Sequence, residues 1–225
     1  MKRHFITFFL FLFILPVSAQ IKVSILGDSY STFEGWNPEG QAVWYDKNKR
    51  NDVRNVEETW WWQLIDDNGL ELEKNNSWSG ATICNTGYNG ADFSDRSFLN
   101  RSNALGNNPD LIFVFGGTND AWAGSPLGDE DGSDMFTVRP ATKAMFKNIK
   151  NYYPEALCVA IINTELSADV ENAIINACEI ENIPYVKLKD IDKQAGHPSI
   201  NGMKQISKQV WKATAPHLYK KLKER

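Results

Sequence analysis

The chain has 225 residues, with 24 basic and 28 acidic side chains and a formal net charge of −4. A mildly acidic chain without a long basic stripe is a poor candidate for nucleic acid. Its length suits one domain with a full core, and two domains would be cramped.

Residues 1–19 read as an export signal. Met1-Lys2-Arg3-His4 is a short basic start, residues 5–17 are almost unbroken apolar sequence, and Val17-Ser18-Ala19 offers small residues where a signal peptidase reads. The apolar run is too short to span a bilayer comfortably, and no cysteine stands at the cleavage point to carry a lipid. The expected product is an exported protein, periplasmic or secreted, starting at Gln20 and folding as a single domain over residues 20–225. It carries 22 basic and 28 acidic side chains and makes no stable membrane insertion.

From Gln20 onward, apolar runs alternate with helical patterns. Residues 22–27 predict a short buried strand that ends in Gly27. Residues 57–68 predict a helix stopped by Gly69, and residues 70–76 a second strand. Residues 111–115 (Leu-Ile-Phe-Val-Phe) form the clearest strand and run straight into Gly116-Gly117. Residues 124–139, rich in Gly, Asp, Ser and Pro, predict a long loop. Helix over 142–152, strand over 157–162, helix over 167–181, strand over 184–188 and helix over 201–223 complete the series. Strands separated by helices imply right-handed crossovers and a parallel sheet of about five strands, covered on both faces. Ligands of such sheets sit beyond the C-terminal strand ends. The clusters after residues 27 and 115 therefore face one crevice.

Those clusters hold the chemistry. Ser29, in Gly27-Asp28-Ser29, stands immediately after a strand, where a hydroxyl can meet a cleft. The same triplet is good chemistry for a turn or a helix cap. Beyond the leader only two histidines remain. His217 lies in a terminal basic helix suited to the surface, and His197 sits between Gly196 and Pro198 just before a helix start. His197 is the candidate base. Asn119, in Gly117-Thr118-Asn119-Asp120, offers a side-chain N–H to a developing oxyanion, and Gly80 offers a backbone N–H without a side chain to obstruct approach.

Taken in order, Gly27-Asp28-Ser29-Tyr30, Gly80, Gly117-Thr118-Asn119-Asp120 and His197-Pro198 resemble the blocks of the SGNH (GDSL-type) hydrolase family, over nearly the whole chain from Val23 to about Gln209. The resemblance implies a flavodoxin-like three-layer α/β/α sandwich and a serine esterase working through an acyl-enzyme, with no metal or organic cofactor. Ser29 would be the nucleophile and His197 the base. Gly80, Asn119 and the backbone N–H of Ser29 would form the oxyanion hole. The family usually carries Asp three residues before this histidine, where the present chain has Gln194. Three readings follow: Asp192 swings round to orient the ring; the Gln194 side-chain oxygen or a backbone carbonyl does so; or the enzyme is impaired. A Ser–His dyad with non-carboxylate support is the favoured one.

Trp78 and Trp122 flank the candidate oxyanion residues, and Trp36 and Trp44 lie in the loop after Ser29. Flat aromatic walls suit sugar rings, so the expected substrate is a small-molecule or glycan ester, such as an acetylated carbohydrate. A lysophospholipase or thioesterase-type acyl hydrolase, an inactive carbohydrate-binding protein on the same fold, and a phosphate-binding flavodoxin-like module are the alternatives. The acidic run 129–134 lacks the ligand spacing of a calcium loop and reads as solvated. Cys84, Cys158 and Cys178 have neither metal-knuckle nor redox spacing, and buried free thiols are expected.

Overall fold

A computed structural model describes residues 20–47 and 51–224, so the expected signal segment lies outside the described residues. Five strands form one parallel sheet: β1 (Lys22–Gly27), β2 (Glu71–Ser77), β3 (Leu111–Phe115), β4 (Leu157–Ile162) and β5 (Tyr185–Lys187). Their order is β2-β1-β3-β4-β5. The protein is a three-layer α/β/α sandwich with the flavodoxin-like strand order.

Each strand divides its side chains between two cores, because successive residues point to opposite faces. Leu111, Phe113 and Phe115 of β3 join one core with Val23, Ile25, Val159 and Ile161. Helices α1 (Trp60–Asp67) and α6 (Ile200–Lys223) cover that face, through Trp60, Leu64, Met203 and Val210. Ile112 and Val114 join the other core with Leu26, Ala160 and Ile162. It is covered by α2 (Phe98–Arg101), α4 (Val138–Tyr152) and α5 (Ala168–Glu181). Burial on both faces explains why the central strands are continuous apolar runs.

Several boundaries depart from the sequence pattern for local reasons. The helix expected over 57–68 begins only at Trp60. Thr59 holds extended backbone (φ −72°, ψ 151°) and its Oγ1 accepts from the Trp62 N–H at 3.4 Å, so it caps α1. Helix α4 starts four residues before the expected 142, with Pro140 in its first turn, where a missing N–H costs nothing. Residues 118–123 form a short helix, α3 (Thr118–Ala123), which the sequence pattern did not predict. The segment before His197 is a tight hairpin of β6 (Lys193–Gln194) and β7 (His197–Pro198). The three cysteines are free and buried, and burial raises all three thiols, Cys84 and Cys178 to about 12.

The strand order reverses direction between β1 and β3, which opens a crevice beyond their C-terminal ends. Gly27 pairs with Ser77 on one side and with Phe115 on the other. The three strands thus end in one row. Ser29, Gly80 and Asn119 follow that row by two, three and four residues.

Candidate active site

Ser29 opens a single 3-10 turn, Ser29–Ser31, directly after β1. The Asp28 carboxylate caps the turn by accepting the Tyr30 N–H at 3.0 Å, and the Asp28 and Ser29 carbonyls accept from Ser31 and Thr32. The Thr32 hydroxyl also donates to the Ser29 carbonyl at 3.0 Å. A Cβ on Gly27 would collide with Ser77 Oγ and lie 2.7 Å from Ser31 Cβ, so the chain can enter this turn only as glycine.

His197 is brought to Ser29 by the hairpin. Ala195 and Gly196 have φ of 50° and 75°, the left-handed pair a two-residue type I′ turn requires. The turn places the His197 ring with Nε2 2.9 Å from Ser29 Oγ and Nδ1 3.3 Å from the Ala195 carbonyl oxygen. That pattern suits a ring carrying its proton on Nδ1 and accepting the Ser29 O–H at Nε2. The hairpin is held from outside. Asn51 Nδ2 donates to the Pro198 carbonyl at 3.0 Å, and the Tyr30 and Tyr45 hydroxyls donate to the carbonyls of Gly196 and Pro198, each at 2.8 Å.

The two side chains weighed as His197 partners make hydrogen bonds of their own. The Asp192 carboxylate accepts the Ser199 hydroxyl, and its carbonyl accepts the Ser199 N–H at 3.1 Å. Ser199 in turn caps α6, accepting the Gly202 N–H at 3.1 Å. The Gln194 amide donates to Asp52 Oδ2 at 3.3 Å.

Asn119 lies one residue into α3, whose N-cap Gly117 has φ of 94°. Its Nδ2 donates to the Ala81 carbonyl at 2.9 Å, and its Oδ1 accepts the Tyr88 hydroxyl at 2.7 Å. These two bonds fix which way the amide faces. Next to it, the buried Asp120 carboxylate accepts from the Ile83 and Cys84 N–H groups at 2.8 and 3.2 Å. Residues 119 and 120 therefore anchor the segment that carries Gly80, which stands at φ 83° with no heavy atom within 4 Å of an added Cβ.

Burial dominates the electrostatics beneath this row. The Asp28 and Asp120 carboxyls are pushed up to about 7 and about 6 respectively, in each case by loss of water. Asp28 Oδ2 has no hydrogen-bond partner among the described residues. Arg101, also buried, is lowered to about 9 by burial and donates to the Gly27 carbonyl at 3.3 Å.

Aromatic rings surround His197. Trp44 stacks flat on it, with centroids 3.6 Å apart and planes 8° apart. Tyr30 meets it edge-on at 5.0 Å, and Trp122, 44% exposed, at 6.1 Å. Trp78 instead packs on the core under the Arg96 guanidinium. Trp36 packs with Trp61 and Trp62, away from the pair. Sequence reasoning named Trp44 only as a loop residue and passed over Tyr88. Neither contact has a local signature, since both partners are far off in the chain. Among the described residues, no group of three His, Cys, Asp or Glu side chains is placed to hold a metal ion, and no helix is long and apolar enough to cross a membrane.

Residues 21–214 match the GDSL-like Lipase/Acylhydrolase family. Among solved structures, the chain is similar to a GDSL-like lipase from Bacteroides uniformis ATCC 8492, at 49% identity with a TM-score of 0.84, covering 88% of this chain and 96% of that one. A GDSL-like lipase from Bacteroides ovatus ATCC 8483 is 45% identical with a TM-score of 0.85, over 88% and 100% of the two chains. A family two carbohydrate esterase from Clostridium thermocellum, in complex with cellohexaose, shares the fold at 15% identity and a TM-score of 0.61, over 91% and 66%. Among curated proteins, none matches. The chain belongs to the GDSL-like lipase/acylhydrolase family of SGNH fold, and is an ester-hydrolysing enzyme.

Proposed function

We propose that the protein is an exported serine esterase that deacylates carbohydrate through an acyl-enzyme, with Ser29 as nucleophile and His197 as base. The observation that carries this reading is the 2.9 Å contact between Ser29 Oγ and His197 Nε2 at the crevice where the sheet reverses. Ser29 Oγ attacks the ester carbonyl carbon while its proton passes to His197 Nε2. The carbonyl oxygen becomes an oxyanion facing the Ser29 and Gly80 N–H groups and the Asn119 amide. The C–O bond to the alcohol then breaks, and the alcohol leaves with the proton from His197. Water repeats the sequence on the acyl-enzyme, giving the carboxylic acid and free Ser29.

The Ala195 carbonyl is the proposed acceptor for the Nδ1 proton, making a Ser–His dyad with backbone support. A neutral carbonyl orients the ring but stabilises the imidazolium less than a carboxylate does. Trp122, exposed beside His197, is the proposed platform for a sugar ring. The carbohydrate esterase that shares the fold is compatible with this substrate class. Export rests on the basic, apolar and small-residue pattern of residues 1–19.

Labelling by a fluorophosphonate probe tests the nucleophile. The wild type is expected to label, and Ser29→Ala not at all. Release of acetate from acetylated oligosaccharides tests the substrate class. Turnover of lipid esters alone, with short acyl esters and acetylated glycans inert, would overturn it.

A further inference from the structure

We propose that Trp44 is a positioning residue for His197, doing through a stacked ring part of what a carboxylate partner does in a full triad. The proposal rests on reading Ser29 and His197 as the catalytic pair.

Geometry comes first. Trp44 is the ring that lies parallel to the imidazole, at 3.6 Å and 8°. Tyr30, Tyr45 and Trp122 meet it edge-on, at interplanar angles of 61°, 81° and 69°. A flat indole against one face blocks rotation of the imidazole about its side-chain torsions, because turning the ring would drive an edge into the indole. The ring is thereby held in the plane that aims Nε2 at Ser29.

The stack is also referenced to both members of the pair. The Trp44 N–H donates to Thr32 Oγ1 at 2.9 Å, and that hydroxyl donates to the Ser29 carbonyl at 3.0 Å. The next residue, Tyr45, donates its hydroxyl to the carbonyl of Pro198, the neighbour of His197. One dipeptide thus ties the nucleophile turn to the strand that carries the base.

Chemistry supplies the second contribution. When Nε2 takes the Ser29 proton the imidazole becomes a cation, and it does so against the electron-rich face of an indole. Such a face favours the cation over the neutral ring. The indole face acts beside the Ala195 carbonyl, which lies 3.3 Å from Nδ1.

The test compares Trp44→Leu and Trp44→Phe in the full chain, using a chromogenic acetate ester. The Leu variant keeps apolar bulk without an aromatic face, and its kcat is expected to fall about 10- to 30-fold with KM within about twofold. The Phe variant is expected to recover most of that loss. In proton NMR of the wild type, the His197 ring signals should lie upfield of those of His217, shifted by the indole. A wild type without that shift removes the stack, whether or not the Leu variant folds. Equal kcat in the Leu and Phe variants, or an effect confined to KM, would overturn the positioning role. Ser29→Ala run alongside separates the two readings. If it keeps full turnover, the catalytic pair itself is wrong. If it is dead while Trp44→Leu is unimpaired, only the role of Trp44 fails.

Discussion

Ser29 Oγ and His197 Nε2 stand 2.9 Å apart across 168 positions of sequence. One comes from the turn after the first strand and the other from a hairpin just before the last helix. Their meeting is set by strand order and by the bonds that grip the hairpin from outside.

The proposed oxyanion side of the crevice depends on how the Asn119 amide faces. Asn119→Ala is expected to lower kcat about 10²- to 10³-fold with little change in KM, the usual effect of losing one such donor. Tyr88→Phe removes the hydroxyl that holds Asn119 Oδ1 and should cost about 3- to 10-fold in kcat. Steady-state kinetics on one soluble ester checks both, and a Tyr88 effect as large as that of Asn119 would contradict the ranking.

Asp192 is tied to Ser199, so its substitution should register as stability. Ser199→Ala is expected to cost about 1–2 kcal/mol by uncapping α6. Asp192→Asn should lower the melting temperature while leaving kcat within about threefold. Thermal denaturation and kinetics on the same samples decide this. A loss of turnover matching His197→Ala would make Asp192 the orienting carboxylate after all.

Gln194→Asp restores the residue type usual at that position, yet no gain in turnover is expected. Gln194 now donates to the Asp52 carboxylate, and a second carboxylate there would meet like charge. The expected result is unchanged or reduced kcat and a lower melting temperature. A large rise in kcat would instead mean that the hairpin can rearrange to present a carboxylate to Nδ1.

Asp28 makes a separate prediction about pH. Burial raises its carboxyl from 3.8 to about 7, so the folded protein binds a proton that the unfolded chain releases. The resulting stability is fully present below about pH 4 and is lost as pH rises through about 7. Asp120, raised to about 6, adds in the same direction. Between about pH 4 and its own raised value, about 7 for Asp28 and about 6 for Asp120, each group lowers stability by about 1.4 kcal/mol per pH unit. Asp28→Asn should therefore flatten the fall in unfolding free energy between pH 4 and pH 7, measured by denaturant titration at fixed salt.

Much of the fold was legible because its centre is buried on both sides. Strands β1, β3 and β4 read directly as short apolar runs, and the glycines at the ends of β1 and β3 marked the crevice. The hairpin before His197 was not legible. Ala195 is a poor signal for a left-handed turn position, and each strand is only two residues long. Helix α3 was hidden because Gly-Thr-Asn-Asp is equally good turn chemistry, and its left-handed Gly117 start shows only in the backbone. The stack of Trp44 on His197 had no signal at all, since 153 residues separate them in a pattern without periodicity.

The placement of Ser29 after the first strand and of His197 before the last helix has a consequence for how this chain comes into being. A nascent chain displays the serine early, in a turn whose own hydrogen bonds are local, and it has nothing there to take the proton. The proposed base, His197, arrives only when almost the whole chain has been synthesised and α6 has docked across the sheet. Competence is therefore a property of the finished fold, and a chain clipped ahead of the hairpin would carry an inert hydroxyl. With Ser29 and His197 as the proposed pair, the chain cannot attack esters while it is still being made.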